Sequence, residues 1–242
     1  MKRNTAIMLI VLMMSAGNAL AQDTDAEKPA GGWSGEGELG YSSTTGNTET
    51  QSLTAKLGLN KEVARWLHSL TLEATNKEDA GVRTAERYYA AGKSDYSYTE
   101  RDYVYANLDY EKDRFSGYNH RSNVGLGYGR KVIDNEALKL NLEIGPGYRW
   151  SELDDGSEEN EATLRLAGDL AWQISESSAF TQELAVITGE KDTTTRSLSA
   201  LTTKINSILS LRISYLINHR TDPPPDTENT DTETAVTLVY GF

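Results

Sequence analysis

Residues 232–242, which read TETAVTLVYGF, constrain the fold more than any other segment of this chain. Thr234, Val236, Leu238, Tyr240 and Phe242 share one strand face, and Glu233, Ala235, Thr237 and Gly241 take the other, because successive strand side chains point to opposite sides. An alternating strand that finishes on an aromatic residue fits the closing strand of a bacterial outer-membrane barrel, where the ring sits in the interfacial girdle. Such a strand must pair with the first one, since an open sheet edge in lipid leaves backbone groups unsatisfied. Tyr240 and Phe242 are therefore the candidate assembly signal for the barrel-insertion machinery.

The other end of the chain carries an export signature. Lys2 and Arg3 precede an apolar run over residues 6–14, and Ala19-Leu20-Ala21 forms a small-x-small cleavage site. This predicts a signal peptide over residues 1–21 and a mature chain starting at Gln22. Residues 22–32 read as a periplasmic linker and 33–242 as the barrel. The leading apolar run is too short to span a bilayer as a helix, and no longer one follows. A mean hydropathy of -0.55 is compatible with a barrel, because half of every strand is polar. The expected location is the outer membrane, with its lipids and lipopolysaccharide as partners.

From Trp33 onward the chain alternates with period two between turn-forming residues. The pattern predicts an all-β antiparallel transmembrane barrel of about twelve strands, with ten as the alternative count. The strands fall near 33–43, 50–60, 66–74, 87–95, 101–110, 121–131, 138–150, 162–172, 179–187, 195–204, 208–218 and 232–242. The clearest faces are Leu138-Leu140-Leu142-Ile144 and Leu209-Leu211-Ile213-Tyr215-Ile217. Most runs are about ten residues, enough for a tilted strand to cross the hydrocarbon layer. The gaps at 75–86, 111–120, 151–161 and 219–231 are longer than those between them, as external loops are in such barrels. The competing fold is a soluble periplasmic β-domain.

Formal net charge is -12, and loss of residues 1–21 removes two of the 24 basic residues and none of the 36 acids, leaving -14. No nucleic-acid partner is expected, since phosphate binding needs a basic face. The acids gather in 152–161 and 222–233, read as external loops where divalent cations and lipopolysaccharide would collect.

The first hairpin, Gly40-Tyr41-Ser42-Ser43-Thr44-Thr45-Gly46-Asn47-Thr48-Glu49-Thr50, resembles the opening motif of the salt-induced outer-membrane protein family. Tyr110-Glu111-Lys112-Asp113-Arg114-Phe115-Ser116-Gly117 and Gly125-Leu126-Gly127-Tyr128-Gly129 carry the same resemblance. It implies an outer-membrane barrel linked to salt stress, and it transfers no substrate or catalytic residue.

Strand phase selects Glu36, Glu38, Lys56, Glu73, Asp109, Arg121, Lys139, Glu143, Arg149, Arg165, Asp169 and Arg212 as lumen-lining candidates, together with Lys131, Glu183 and Glu233. The two signs nearly balance, so the set can either plug a narrow barrel with ion pairs or line a mixed-charge channel. Gly125, Gly127, Gly129, Gly145 and Gly147 leave inward space, which favours a small channel. No cofactor is expected. With no cysteine and no paired histidine, a transition-metal site is not expected either.

The enzymatic alternative rests on His120 and Ser122, which point the same way on a strand, toward lipid near the outer rim. The pair resembles that of outer-membrane phospholipase A. It departs from that pattern because no residue to orient the imidazole is evident, Asn135 falling in an inner turn, and because Val124 stands where glycine belongs. The leading reading is a small porin-like channel without catalytic residues. The alternatives are a plugged structural barrel with cation-binding acidic loops, and a lipid-facing esterase using His120 and Ser122.

Overall fold

The computed structural model describes residues 32–44, 50–223 and 228–242. The expected signal peptide, the linker up to residue 31, the Gly46-Asn47 turn and Asp226 lie outside the described residues. Twelve strands follow in order: β1 Trp33–Thr44, β2 Thr50–Val63, β3 Trp66–Asp79, β4 Val82–Ser97, β5 Asp102–Asp113, β6 Tyr118–Asp134, β7 Leu138–Leu153, β8 Glu158–Gln173, β9 Ser178–Thr188, β10 Thr193–Lys204, β11 Leu209–Arg220 and β12 Thr230–Gly241. Each pairs antiparallel with its sequence neighbour, and β1 pairs with β12 to close the barrel. The closing ladder is short. It pairs Glu36 through Leu39 with Gly241 through Leu238, and Gly35 and Phe242 exchange backbone hydrogen bonds of 2.9 and 3.0 Å.

The barrel is built inside out relative to a soluble domain. Leu126 is 63% exposed and Val236 57%, and leucine, isoleucine and valine side chains face outward on strand after strand. A soluble β-domain would have to bury such a band, and a bilayer provides the apolar medium that replaces a core. Aromatic rings bound the band at both ends. Trp66 packs on Tyr96 (4.9 Å) and Tyr240 on Phe242 (6.2 Å) at the rim where β1 starts and β12 ends, the one expected to face the periplasm, and Tyr148 packs on Trp150 (4.7 Å) at the opposite rim. On β7 the outward row runs from Leu138 to Tyr148, ten residue steps that rise about 33 Å along the strand. At a tilt near 40° this covers about 25 Å of membrane, the height of the apolar band in outer-membrane barrels.

Most strands continue past that band, so the expectation of long external loops is corrected for three of the four gaps; at the fourth, β11 ends at Arg220 and β12 starts only at Thr230. The gaps read at 75–86, 111–120 and 151–161 shrink to turns at 80–81, 114–117 and 154–157. Ala80 and Gly81 both take positive φ (49° and 77°), which makes a two-residue hairpin whose twist matches its strands. Above the hydrocarbon no lipid enforces an apolar face. The sequence therefore loses its alternation there while the hydrogen-bond ladder continues.

The acidic loop over 152–161 is corrected in the same way. Glu152 is on β7, and Glu158, Glu159 and Glu161 are on β8, leaving Asp154 and Asp155 in the turn. Glu159 pairs with Lys191 Nζ at 3.2 Å, and Glu161 accepts the Lys191 amide at 2.9 Å. In the turn, the hydroxyl and amide of Ser157 both donate to Asp155, holding its carboxyl below the usual aspartate range. Among the described residues no cluster of three or more His, Asp or Glu is arranged to hold a metal ion.

Candidate functional site in the barrel lumen

The inward face of the strands carries a connected lattice of ion pairs. Near the periplasmic end, Arg212 of β11 donates to both carboxylate oxygens of Glu36 (3.0 and 2.9 Å) and to Glu38. Lys56 of β2 then links Glu38 (3.7 Å) to Glu73 (3.8 Å). Arg87 of β4 joins Glu73 (2.9 Å) to Glu111 (2.8 Å), and Arg220 of β11 reaches Glu111 at 3.8 Å. The last contact joins β11 to β5, six strands apart. Twelve strands about 4.8 Å apart and tilted near 40° would enclose a circle roughly 24 Å across. An arginine and a glutamate in contact span less than that, so the cross-section is oval here and bridged.

The middle of the lumen is organised around Glu143 of β7, whose side chain is fully buried. It accepts hydrogen bonds from Lys93 (2.5 Å), Arg165 (2.6 Å) and the Tyr103 hydroxyl (2.8 Å). A carboxylate removed from water needs such partners to stay charged, and this one has two cations and a phenol. Tyr103 and Tyr105 are the buried rings beside it. They lie against Gly129 and Gly127, and a Cβ on Gly127 would stand 2.5 Å from the Tyr105 ring. The expectation that these glycines leave open space is therefore corrected. Tyrosines of the neighbouring strand fill the room that the missing side chains provide.

Arg149, only 2% exposed, meets Glu161 at 3.1 Å and Asp192 at 3.6 Å, and donates to Asn123. Asp109 accepts from Asn123 Nδ2 at 2.7 Å. Arg121 is buried beside the Tyr118 ring, 5.0 Å from its centroid. Asp169 and Glu233 line the lumen cavity, and Glu183 approaches Arg196 at 3.9 Å. Lys139 stands apart, exposed near the periplasmic edge and outside any ion pair among the described residues. Arg87, Lys93, Asp95, Glu111, Asp192, Arg196 and Arg220 belong to the lattice, although the sequence reading did not select them.

Between these bridges runs a cavity of about 1110 Å³. Its walls extend from Asp113 and Ser116 at the outer end to Asn60 and Ser69, each three residues from the inner turn at 64–65.

His120 faces outward on β6, with its ring 5.9 Å from that of Tyr110. Its Nδ1 lies 3.6 Å from Glu152, an acid on the neighbouring strand that sequence spacing could not bring next to it. No hydrogen bond joins His120 to Ser122 among the described residues. Tyr240 and Phe242 project outward at the periplasmic rim beside the closing ladder.

A closed antiparallel barrel with an apolar outside, aromatic rims and a charged interior is an outer-membrane β-barrel with a porin-like fold. Similar solved structures are the NanC porin (TM-score 0.53, 11% identity, 86% of this chain and 98% of that one) and the COG4313 outer membrane channel from Pseudomonas putida F1 (0.53, 12%, 92% and 100%). The translocator domain of the autotransporter NalP from Neisseria meningitidis is also similar (0.51, 12%, 87% and 88%). At these identities the likeness concerns the fold. The chain belongs to the family described as protein of unknown function, DUF481, which matches residues 37–242. Its similarity to the uncharacterized protein YdiY of Escherichia coli (strain K12) is 32% identity over 98% of this chain and 96% of that protein.

Proposed function

We propose that this barrel is a narrow porin-like channel that passes small hydrophilic solutes or ions along a wall of paired charges, without a catalytic step. The observation that carries the reading is the cavity of about 1110 Å³ reaching from the outer turn to within three residues of an inner turn. Its lining is polar on most strands, as an aqueous path requires. Its width is held below that of an open pore by the Arg220–Glu111 and Lys93–Glu143 bridges. Planar-bilayer recording of the purified barrel should give small discrete conductance steps. Absence of steps across a range of salt concentrations would remove the channel and leave a plugged structural barrel, the reading that the bridging ion pairs favour.

Three finer points belong to the same proposal. Export proceeds through a signal peptide cleaved after Ala21, so N-terminal sequencing of outer-membrane material should begin at Gln22. Insertion uses the machinery that recognises Tyr240 and Phe242, and lipopolysaccharide surrounds the outer rim. Synthesis rises with external salt, in keeping with the resemblance of the first hairpin; an unchanged level after a sodium chloride shift would discard that link.

A further inference from the structure

We infer that the outer part of the lumen holds a binding site for a single oxyanion, a carboxylate or phosphate group, centred on Arg121. Arg121 lies on β6 and lines the cavity, and it is only 7% exposed. Among the described residues its Nε and Nη1 have no hydrogen-bond partner, and no ion pair within 4 Å includes it. Its neighbours differ. Arg87, Arg149 and Arg220 each meet at least one acid.

The register shows why Arg121 is left over. Its partner across the β5–β6 ladder is Glu111, the acid that strand pairing would supply. Arg87 and Arg220 already occupy that carboxylate, at 2.8 and 3.8 Å. On the other side the ladder partner is Ser151 of β7, buried and uncharged. Asn123, two residues along β6, donates from its Nδ2 to Asp109 and accepts from Arg149 Nε at its Oδ1. Arg121 instead rests over the Tyr118 ring at 5.0 Å, and Arg220 is the same distance from that ring.

A guanidinium cannot relieve this situation by losing its proton at any ordinary pH. Buried N–H groups without an acceptor are unfavourable, and the forked donor geometry matches the two oxygens of a carboxylate or phosphate. Glu111 and Asp192 nearby limit the net positive field, so a monoanionic group fits better than a highly charged one. The inference concerns binding and does not depend on whether the lumen conducts.

The test is titration calorimetry of the detergent-solubilised barrel with gluconate, with inorganic phosphate, and with sorbitol as the matched polyol lacking the carboxylate. Gluconate or phosphate should bind saturably and sorbitol should not; the stronger of the two anions identifies whether the group is a carboxylate or a phosphate. Arg121→Gln should weaken that binding about tenfold or more, the loss of a bidentate charged contact. Ser151→Asp guards against a variant that fails to fold, because it offers Arg121 an internal carboxylate from the facing strand. It should abolish anion binding while keeping heat-modifiable migration. Equal binding of either anion by the two variants, or no saturable binding by the unaltered barrel, overturns the inference. A barrel that binds the anion yet gives no conductance steps would retain this site and remove the channel.

Discussion

Changing Glu143 to glutamine removes one charge from the centre of the lumen and nearly no volume. The carboxylate is fully buried and holds Lys93, Arg165 and the Tyr103 hydroxyl within 2.8 Å. Removing one member of a buried ion pair costs about 3–5 kcal/mol, because the remaining charge stays out of water without compensation. Two features move the figure to the low end of that range. Lys93 retains Asp95 at 2.9 Å, and the Lys93 and Arg165 side chains keep 26% and 19% exposure, so lumen water screens part of the loss. The expected destabilisation is about 3 kcal/mol. With a urea dependence of about 2 kcal/mol per molar, the unfolding midpoint would fall by about 1.5 M. The barrel's four tryptophans report unfolding in liposomes by fluorescence. Adding Arg165→Met to Glu143→Gln should recover part of the loss, since that uncompensated charge is then gone while Lys93 keeps Asp95. The exposed variant Arg114→Gln should leave the midpoint where it was. A shift for Glu143→Gln below about 1 kcal/mol would refute the reasoning, because the site would then behave like a solvated surface pair.

Phe242→Asp should block assembly, scored as loss of heat-modifiable migration in outer-membrane fractions, because the charge enters the rim where Phe242 stacks on Tyr240 and its backbone pairs with Gly35. Gly145→Ala should destabilise the barrel by several kcal/mol in the same urea assay, since a Cβ there would collide with the Leu126 carbonyl and with Gly127 Cα across the β6–β7 ladder. Asp155 has a depressed carboxyl pKa, so the order it gives the 154–157 turn should persist below the ordinary aspartate value near 4 and be lost as pH falls through the depressed one. Amide resonances of Ser157 followed by NMR during acidification would check this, and a transition at or above pH 4 would contradict it.

Much of the architecture was legible because lipid enforces alternation. Leu138, Leu140, Leu142 and Ile144 mark β7 so clearly that Glu143 and Arg149 fall on the inward face by phase alone. The same argument fails on β4, where Tyr88, Ala90 and Gly92 alternate with Tyr89, Ala91 and Lys93 and the two faces look alike in polarity. Lys93 and Arg87 were missed for that reason. Glu111 and Arg220 were missed because they stand beyond the apolar span, where a strand no longer needs an apolar face and reads as a loop. The contacts of Tyr103 and Tyr105 with Gly129 and Gly127 depend on register between strands, which no single strand records.

The brevity of the β1–β12 ladder has a consequence for biogenesis. Every other ladder joins strands that are consecutive in sequence, so each can zip as the chain is delivered. The closing one joins Glu36 through Leu39 to Leu238 through Gly241, at opposite ends of the barrel sequence, and it adds only the Gly35–Phe242 hydrogen bonds to those four paired positions. Contacts that far apart carry the largest loop-closure cost and form late. It therefore works as a clasp rather than a zip. A chain cut short before residue 238 retains its inner ladders, but its last strand has nothing to fasten to the first. The sheet then keeps two open edges for proteases and holdases to find, and a finished barrel certifies that synthesis reached its last strand.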